Sequence, residues 1–304
     1  MQGVDSRPDR LSENFESEVR TRYFKAADGV SLAADELGPV SGPVVILLHG
    51  GGQTRHSWSG AMRALAARGY RVINFDARGH GESDWSATGA YDLNDRAEDL
   101  QTIVATLEHP FALVGASLGG STAIHAVARG LTPAAVVLVD IVPQPEPLGV
   151  DRIVKFMKAS PDGFSSLEEA ADAVSSYNPE RPRPRDPSGL MRNLRRRDNG
   201  RLYWHWDPAT TDTDLDRHQK VMQRSAAIMA RREGLPTLLV HGLKSDVVSH
   251  TGVAAFRKLL PSLEVTSVGG AGHMVAGDKN DAFNTAVIEF LTRHLPPNVA
   301  SECV

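Results

Sequence analysis

A serine framed by glycines is the most reactive arrangement in this sequence: Gly115-Ala116-Ser117-Leu118-Gly119-Gly120. A serine hydroxyl is a weak nucleophile at neutral pH and gains strength from an adjacent base. The Gly-x-Ser-x-Gly spacing suits a sharp turn from strand to helix. Such a turn lifts the hydroxyl above the end of a sheet and aims a helix N-terminus at the reaction centre. A glycine-rich turn with an incidental serine is disfavoured, because an apolar strand pattern precedes the motif and a helical one follows it. The base must come from eleven histidines, and position separates them. In a strand-turn-helix nucleophile, the acid and then the histidine follow the serine along the chain. His273, in Gly269-Gly-Ala-Gly-His273, meets that order between the last strand and the last helix. His125 and His294 fall inside helices, His109 in a turn before the motif, and His49 ahead of the serine.

The acid must hold the imidazole in one tautomer and stabilise its charged form. Asp246, just past the strand pattern at Thr237–Val240, is the expected acid. Asp140, at the end of the preceding strand, is the alternative. The tetrahedral intermediate also needs backbone N–H donors for its oxyanion. Leu118 N–H is one. The other comes from His49-Gly50-Gly51-Gly52-Gln53-Thr54, with Gly51 expected and Gly52 as the alternative. That glycine run lacks the Lys-Ser/Thr of a phosphate loop, and no G-x-G-x-x-G follows a first strand. The expected chemistry is therefore acyl transfer to water, without a cofactor or a metal.

Alternating elements must position these groups. Val19–Phe24 and Ser31–Glu36 read as strands around the turn Asp28-Gly29. Val44–Leu48, Arg71–Phe75, Phe111–Val114 and Ala135–Val139 are short apolar runs suited to a parallel sheet covered on both faces. Helical spacing lies between them at Trp58–Ala67, Leu93–Leu107 and Leu118–Arg129. The alternation breaks at Pro143-Gln-Pro-Glu-Pro147. It resumes with strands at Thr237–Val240 and Val265–Val268 and helices at Val253–Leu260 and Asp281–Leu295. The pattern predicts an α/β class with a mostly parallel, doubly wound sheet. Residues 1–18 form a polar tail, 19–142 with 234–304 the core, and 143–233 a helical cap inserted after the sixth strand. Within the cap, Arg152–Lys158 and Leu167–Ser176 are the expected helices.

Composition agrees with a globular chain: 304 residues, 41% hydrophobic, 23% charged. With 33 Lys+Arg against 37 Asp+Glu, a general nucleic-acid surface is not expected. The single cysteine, Cys303, excludes an intramolecular disulfide and a cysteine metal cage. The longest apolar runs fall well short of a membrane span, and the N-terminus lacks the apolar stretch of a secretory signal. The expected location is the cytoplasm, and the expected partners are a small ester and water.

On these motifs the chain resembles the α/β-hydrolase fold superfamily. The resemblance is carried by His49-Gly50-Gly51-Gly52, by Asp76-Ala-Arg-Gly79-His-Gly-Glu-Ser83, by the turn at Ser117, and by the loops at Asp246 and Gly272-His273. Epoxide hydrolases and haloalkane dehalogenases look similar around the turn but carry an aspartate there. Ser117 therefore implies an esterase-like branch. Carbon–carbon bond hydrolases of aromatic degradation share the His-Gly-Gly-Gly start but typically continue Pro-Gly, where this chain has Gln53-Thr54. The run Gly-Gly-Gln-Thr-Arg-His-Ser-Trp58 is similar to actinobacterial-type esterases, including monoalkyl phthalate hydrolases. The resemblance implies hydrolysis of a small carboxylic ester, aromatic or carboxylate-bearing. Alternatives are a carbon–carbon bond hydrolase, a lactonase, a perhydrolase, or a ligand receptor built on the same fold.

The cap suggests what the substrate meets. Trp204 and Trp206, in Tyr203-Trp204-His205-Trp206, are candidates to line an apolar pocket, against the plainer reading that they pack the cap. Eight arginines between Arg181 and Arg201 form either a carboxylate site or a solvated surface. Arg55 and His56 follow the oxyanion loop and are expected at the pocket rim.

Overall fold

The computed structural model describes residues 18–179, 182–212, 214–273 and 280–297. The strands are β1 (Arg20–Lys25), β2 (Ser31–Leu37), β3 (Val44–Leu48), β4 (Arg71–Phe75), β5 (Phe111–Ala116), β6 (Ala135–Val139), β7 (Leu194–Arg196), β8 (Leu202–Trp204), β9 (Thr237–Gly242) and β10 (Glu264–Val268). Eight of them form one sheet in the order β1-β2-β4-β3-β5-β6-β9-β10, and β7 pairs with β8 in a separate hairpin. β1 and β2 are antiparallel, as are β2 and β4, while the pairings from β4 onward are parallel.

The continuous apolar runs become central strands for the expected reason. Every residue of β3, β4 and β6 is buried. Alternate side chains serve opposite faces: Val44, Ile46 and Leu48 join one cluster, Val45 and Leu47 the other. Helices cover both. The helices are α1 (Ser59–Ala66), α2 (Leu93–Val104), α3 (Leu118–Ala128), α4 (Pro147–Lys158), α5 (Leu167–Tyr177), α6 (Leu215–Met229), α7 (His250–Leu259) and α8 (Asn280–His294). Residues of α1 and α8 pack on one face, and residues of α2, α3, α6 and α7 on the other.

The segment between β6 and β9 differs from a purely helical cap in two ways. It contains the β7–β8 hairpin, whose Leu194, Leu202 and Trp204 form a small separate core with Phe164, Ala170 and Trp206. Its last helix, α6, is not over the cleft alone: Met222, Ala226 and Met229 enter the main core, and Ser225 Oγ lies 2.8 Å from His125 Nδ1 on α3. The sequence expectation missed α6 because its many charged residues mask a narrow apolar stripe.

Candidate active site

β5 delivers Ser117 to the C-terminal edge of the sheet, and α3 begins at the next residue. Ser117 has φ 46° and ψ −113°, a conformation that L-residues rarely occupy and that costs about 1–3 kcal/mol. The surrounding backbone holds it there. Ser117 N–H donates to the Val139 carbonyl at 3.0 Å, and Ser121 N–H donates to the Ser117 carbonyl at 2.9 Å. The motif glycines permit the close approach: a Cβ on Gly115 would lie 2.6 Å from the Gly119 carbonyl, and one on Gly119 would strike the Leu48 backbone.

The carboxylate that meets His273 is not the expected one. His273 Nδ1 lies 2.7 Å from Asp140 Oδ2. Asp140 is fully buried at the end of β6, where it also accepts from Gly242 N–H at 3.0 Å and Ser245 Oγ at 2.5 Å. Asp246 instead forms a 2.9 Å ion pair with Arg152 on α4, and its side chain is 43% exposed. The reason is the length of β9. The strand runs two residues past the expected end, to Gly242, and that N–H pins Asp140. The following loop carries Asp246 outward. Asp140 has φ 47°; it and Ser117 are the two non-glycine residues with positive φ among the described residues.

The expected oxyanion loop is held from behind by buried histidines that sequence reasoning left unused. His49 donates from Nδ1 to the Gly50 carbonyl (2.8 Å) and accepts Ala77 N–H at Nε2 (2.9 Å). His80 accepts Gly52 N–H at Nε2 (3.2 Å), with Nδ1 3.2 Å from the Arg78 carbonyl. His205 accepts Gly81 N–H at Nδ1 (2.7 Å). Ring centroids are 5.2 Å apart for His49–His80 and 5.7 Å for His80–His205. An imidazole nitrogen that accepts is unprotonated, so these rings are neutral. Burial pushes all three below the ordinary range, His205 to about 3. The Gly52 N–H is thus committed to His80, whereas Gly51 lies open beside Leu118 Cδ2 and Met157 Sδ.

Ser117, Leu118, Gly51, Gly52 and His273 line one cavity of about 1030 Å3. Trp204 and Trp206 line it too, stacked 5.0 Å apart and 11° from parallel, with Phe156 beside them. Two expected rim residues are elsewhere. Arg55 is 4% exposed and bound by Asp35, Asp76 and Glu82, so it braces the loop from beneath. His56 is not among the lining residues; Gln53 and Ser57 are. A 3-10 turn at Arg55–Trp58 directs successive side chains to different sides.

The arginine cluster also stands apart from the cavity. Arg183 pairs with Asp172, Arg196 donates to the Gly200 carbonyl, Arg197 lies 3.9 Å from the Tyr203 ring, and Arg201 donates to Asp162 and Gly163 carbonyls. Arg195 donates to the Gly81 carbonyl. Arg181 lies outside the described residues. The arginine that does line the cavity is Arg96, on α2. Among the described residues, no group of three or more His, Cys, Asp or Glu is arranged to hold a metal, and no helix is long and apolar enough to cross a membrane.

A model described as alpha/beta hydrolase fold matches residues 43–279. Esterase Rv0045c of Mycobacterium tuberculosis is 31% identical over 250 residues, 79% of this chain and 79% of that protein. The 2-(acetamidomethylene)succinate hydrolase of Mesorhizobium japonicum is 30% identical over 77% of this chain and 83% of its own length. Protein phosphatase methylesterase 1 of Mus musculus is 32% identical over 138 residues, but the match spans 43% of this chain and only 36% of that relative. The solved structure of E-2-(acetamidomethylene)succinate hydrolase aligns with a TM-score of 0.78 at 25% identity, covering 90% of this chain and 99% of the other. The family match runs from the residue before β3 to the residue before α8, across the turn at Ser117 and the loop of His273. The chain belongs to the alpha/beta hydrolase fold family.

Proposed function

We propose that the protein is a serine hydrolase that cleaves a carboxylic ester through an acyl-enzyme. The observation that carries this reading is one cavity shared by a strained Ser117 and by His273, whose Nδ1 is tied to buried Asp140 at 2.7 Å. Asp140 takes the Nδ1 proton as a hydrogen-bond partner, which leaves Nε2 free to act as base. Ser117 Oγ attacks the ester carbon as His273 removes its proton. Leu118 and Gly51 N–H groups receive the oxyanion, the first with the support of the α3 N-terminus. His273 then protonates the departing alcohol. A water activated by the same ring attacks the acyl-enzyme and frees Ser117.

The apolar lining around stacked Trp204 and Trp206 favours an ester with an aromatic or extended apolar part. A fluorophosphonate probe tests the nucleophile. It is expected to label the wild-type chain and to leave Ser117→Ala unlabelled; equal labelling of both would end the proposal. A series of p-nitrophenyl esters of rising chain length then reads the depth of the cavity.

A further inference from the structure

Arg96 is a buried cation without a counter-charge. It is 4% exposed, and its Nη1 has no hydrogen-bond partner among the described residues. Its Nε donates to the Tyr91 carbonyl at 3.2 Å, and its guanidinium lies 5.9 Å from the Tyr91 ring. No carboxylate forms an ion pair with it among the described residues. Asp99, the acid that most stabilises its charge, is engaged by Arg78 at 2.6 and 2.7 Å. Asp95 accepts from Asp92 N–H at 2.8 Å.

The surroundings are otherwise neutral or positive. Arg96 lies in the first turn of α2 and lines a small cleft together with Leu118 and Gly119, in the first turn of α3, so two helix N-termini are close to it. Burial pushes its pKa down to about 10. His218, which lines the same cavity, is lowered to about 4 by burial and by Arg96, and so is neutral. An isolated buried charge is costly unless something pairs with it. Asp151, Asp186 and Asp216 also line the cavity, but they are exposed and screened by solvent.

We infer that Arg96 is the carboxylate-recognising residue of the cavity, and that the preferred substrates are half-esters of dicarboxylic acids. The missing counter-charge is then the substrate's own carboxylate, which meets the guanidinium where Arg96 lines the cavity. This rests on the serine-hydrolase reading and narrows it: the anion site is on α2, in the floor of the cavity, and not in the cap arginine cluster.

The test compares p-nitrophenyl hemiglutarate with its neutral methyl ester, p-nitrophenyl methyl glutarate. Wild-type protein is expected to favour the half-ester, and Arg96→Gln to cut the ratio of the two kcat/KM values by about 100-fold. Arg96→Lys should recover part of it, since it keeps the charge but loses the fork. Wild-type protein supplies a second measurement that needs no variant: benzoate should compete with p-nitrophenyl butyrate and benzamide should not. Fluorophosphonate labelling of Ser117 is followed throughout. Labelling without half-ester preference, or an unchanged ratio in Arg96→Gln, overturns the Arg96 assignment alone; absence of labelling in the wild type overturns the hydrolase reading itself.

Discussion

Ser117 and Asp140 stand one after the other along the sheet edge, at the ends of neighbouring strands β5 and β6. Each has a positive φ, at 46° and 47°. Strain of this kind persists only where the surroundings over-determine it, and it gathers at functional positions. For Asp140 the determinants are its N–H on the Val240 carbonyl at 2.8 Å and the three groups that face its carboxylate. The two aspartates therefore part company at the residue scale. Asp140→Asn is expected to lower kcat by about 10^4-fold, because the amide can present a donor to His273 and favour the wrong tautomer. Asp246→Asn is expected to change kcat by less than about 3-fold, since an exposed ion pair with Arg152 contributes little. Steady-state kinetics on one p-nitrophenyl ester decide between them, and the reverse order would return the acid to Asp246.

At the scale of elements, the site depends on how closely α3 lies against the sheet. Gly119 faces the Leu48 backbone so tightly that a Cβ has no room. Gly119→Ala must push α3 away from β3, at an expected cost of about 1–3 kcal/mol in urea unfolding. Gly60, in α1, has no neighbour within 4 Å of the corresponding position. Gly60→Ala is expected to stabilise the fold by about 0.5–1 kcal/mol, through helix propensity and a less flexible unfolded chain. A shared loss in both variants would show that the packing of α3 is not what distinguishes the motif glycine. The same scale explains the glycine loop after β3. His49 and His80 sit behind it and each binds a loop backbone group, so the loop is positioned by rigid rings that lie outside the cavity lining.

For the whole molecule, the buried histidines set the acid limit. His205 and His218 have folded pKa values of about 3 and about 4, against an ordinary 6.5. Between those values and 6.5 the unfolded chain binds protons that the folded chain refuses. Stability is therefore retained above about pH 6.5 and falls as the pH drops through this window, by up to about 1.4 kcal/mol per pH unit for each such histidine. His205→Asn keeps an acceptor for Gly81 N–H and removes the titration. It is expected to flatten the dependence of urea stability on pH between 6 and 4, and an unchanged slope would remove His205 from the account.

What the sequence determined alone is whatever depends on near neighbours in the chain. The apolar runs and their alternation with helices specify the doubly wound sheet, because burial on two faces leaves a pattern in consecutive residues. The Ser117 turn is legible for the same reason: its glycines are needed within a few residues of the serine. Which aspartate meets His273 is not a local matter. It turns on two extra residues of β9 and on the Gly242 N–H that reaches across to Asp140, which no window of sequence contains. The same holds for the charges. Eight clustered arginines are conspicuous in sequence, yet none of the seven described lines the cavity and five of them are engaged by other protein groups, whereas lone Arg96 is buried in the cavity by the packing of α2 against α3. A charge's meaning depends on its surroundings in space, and only the tertiary structure assembles those.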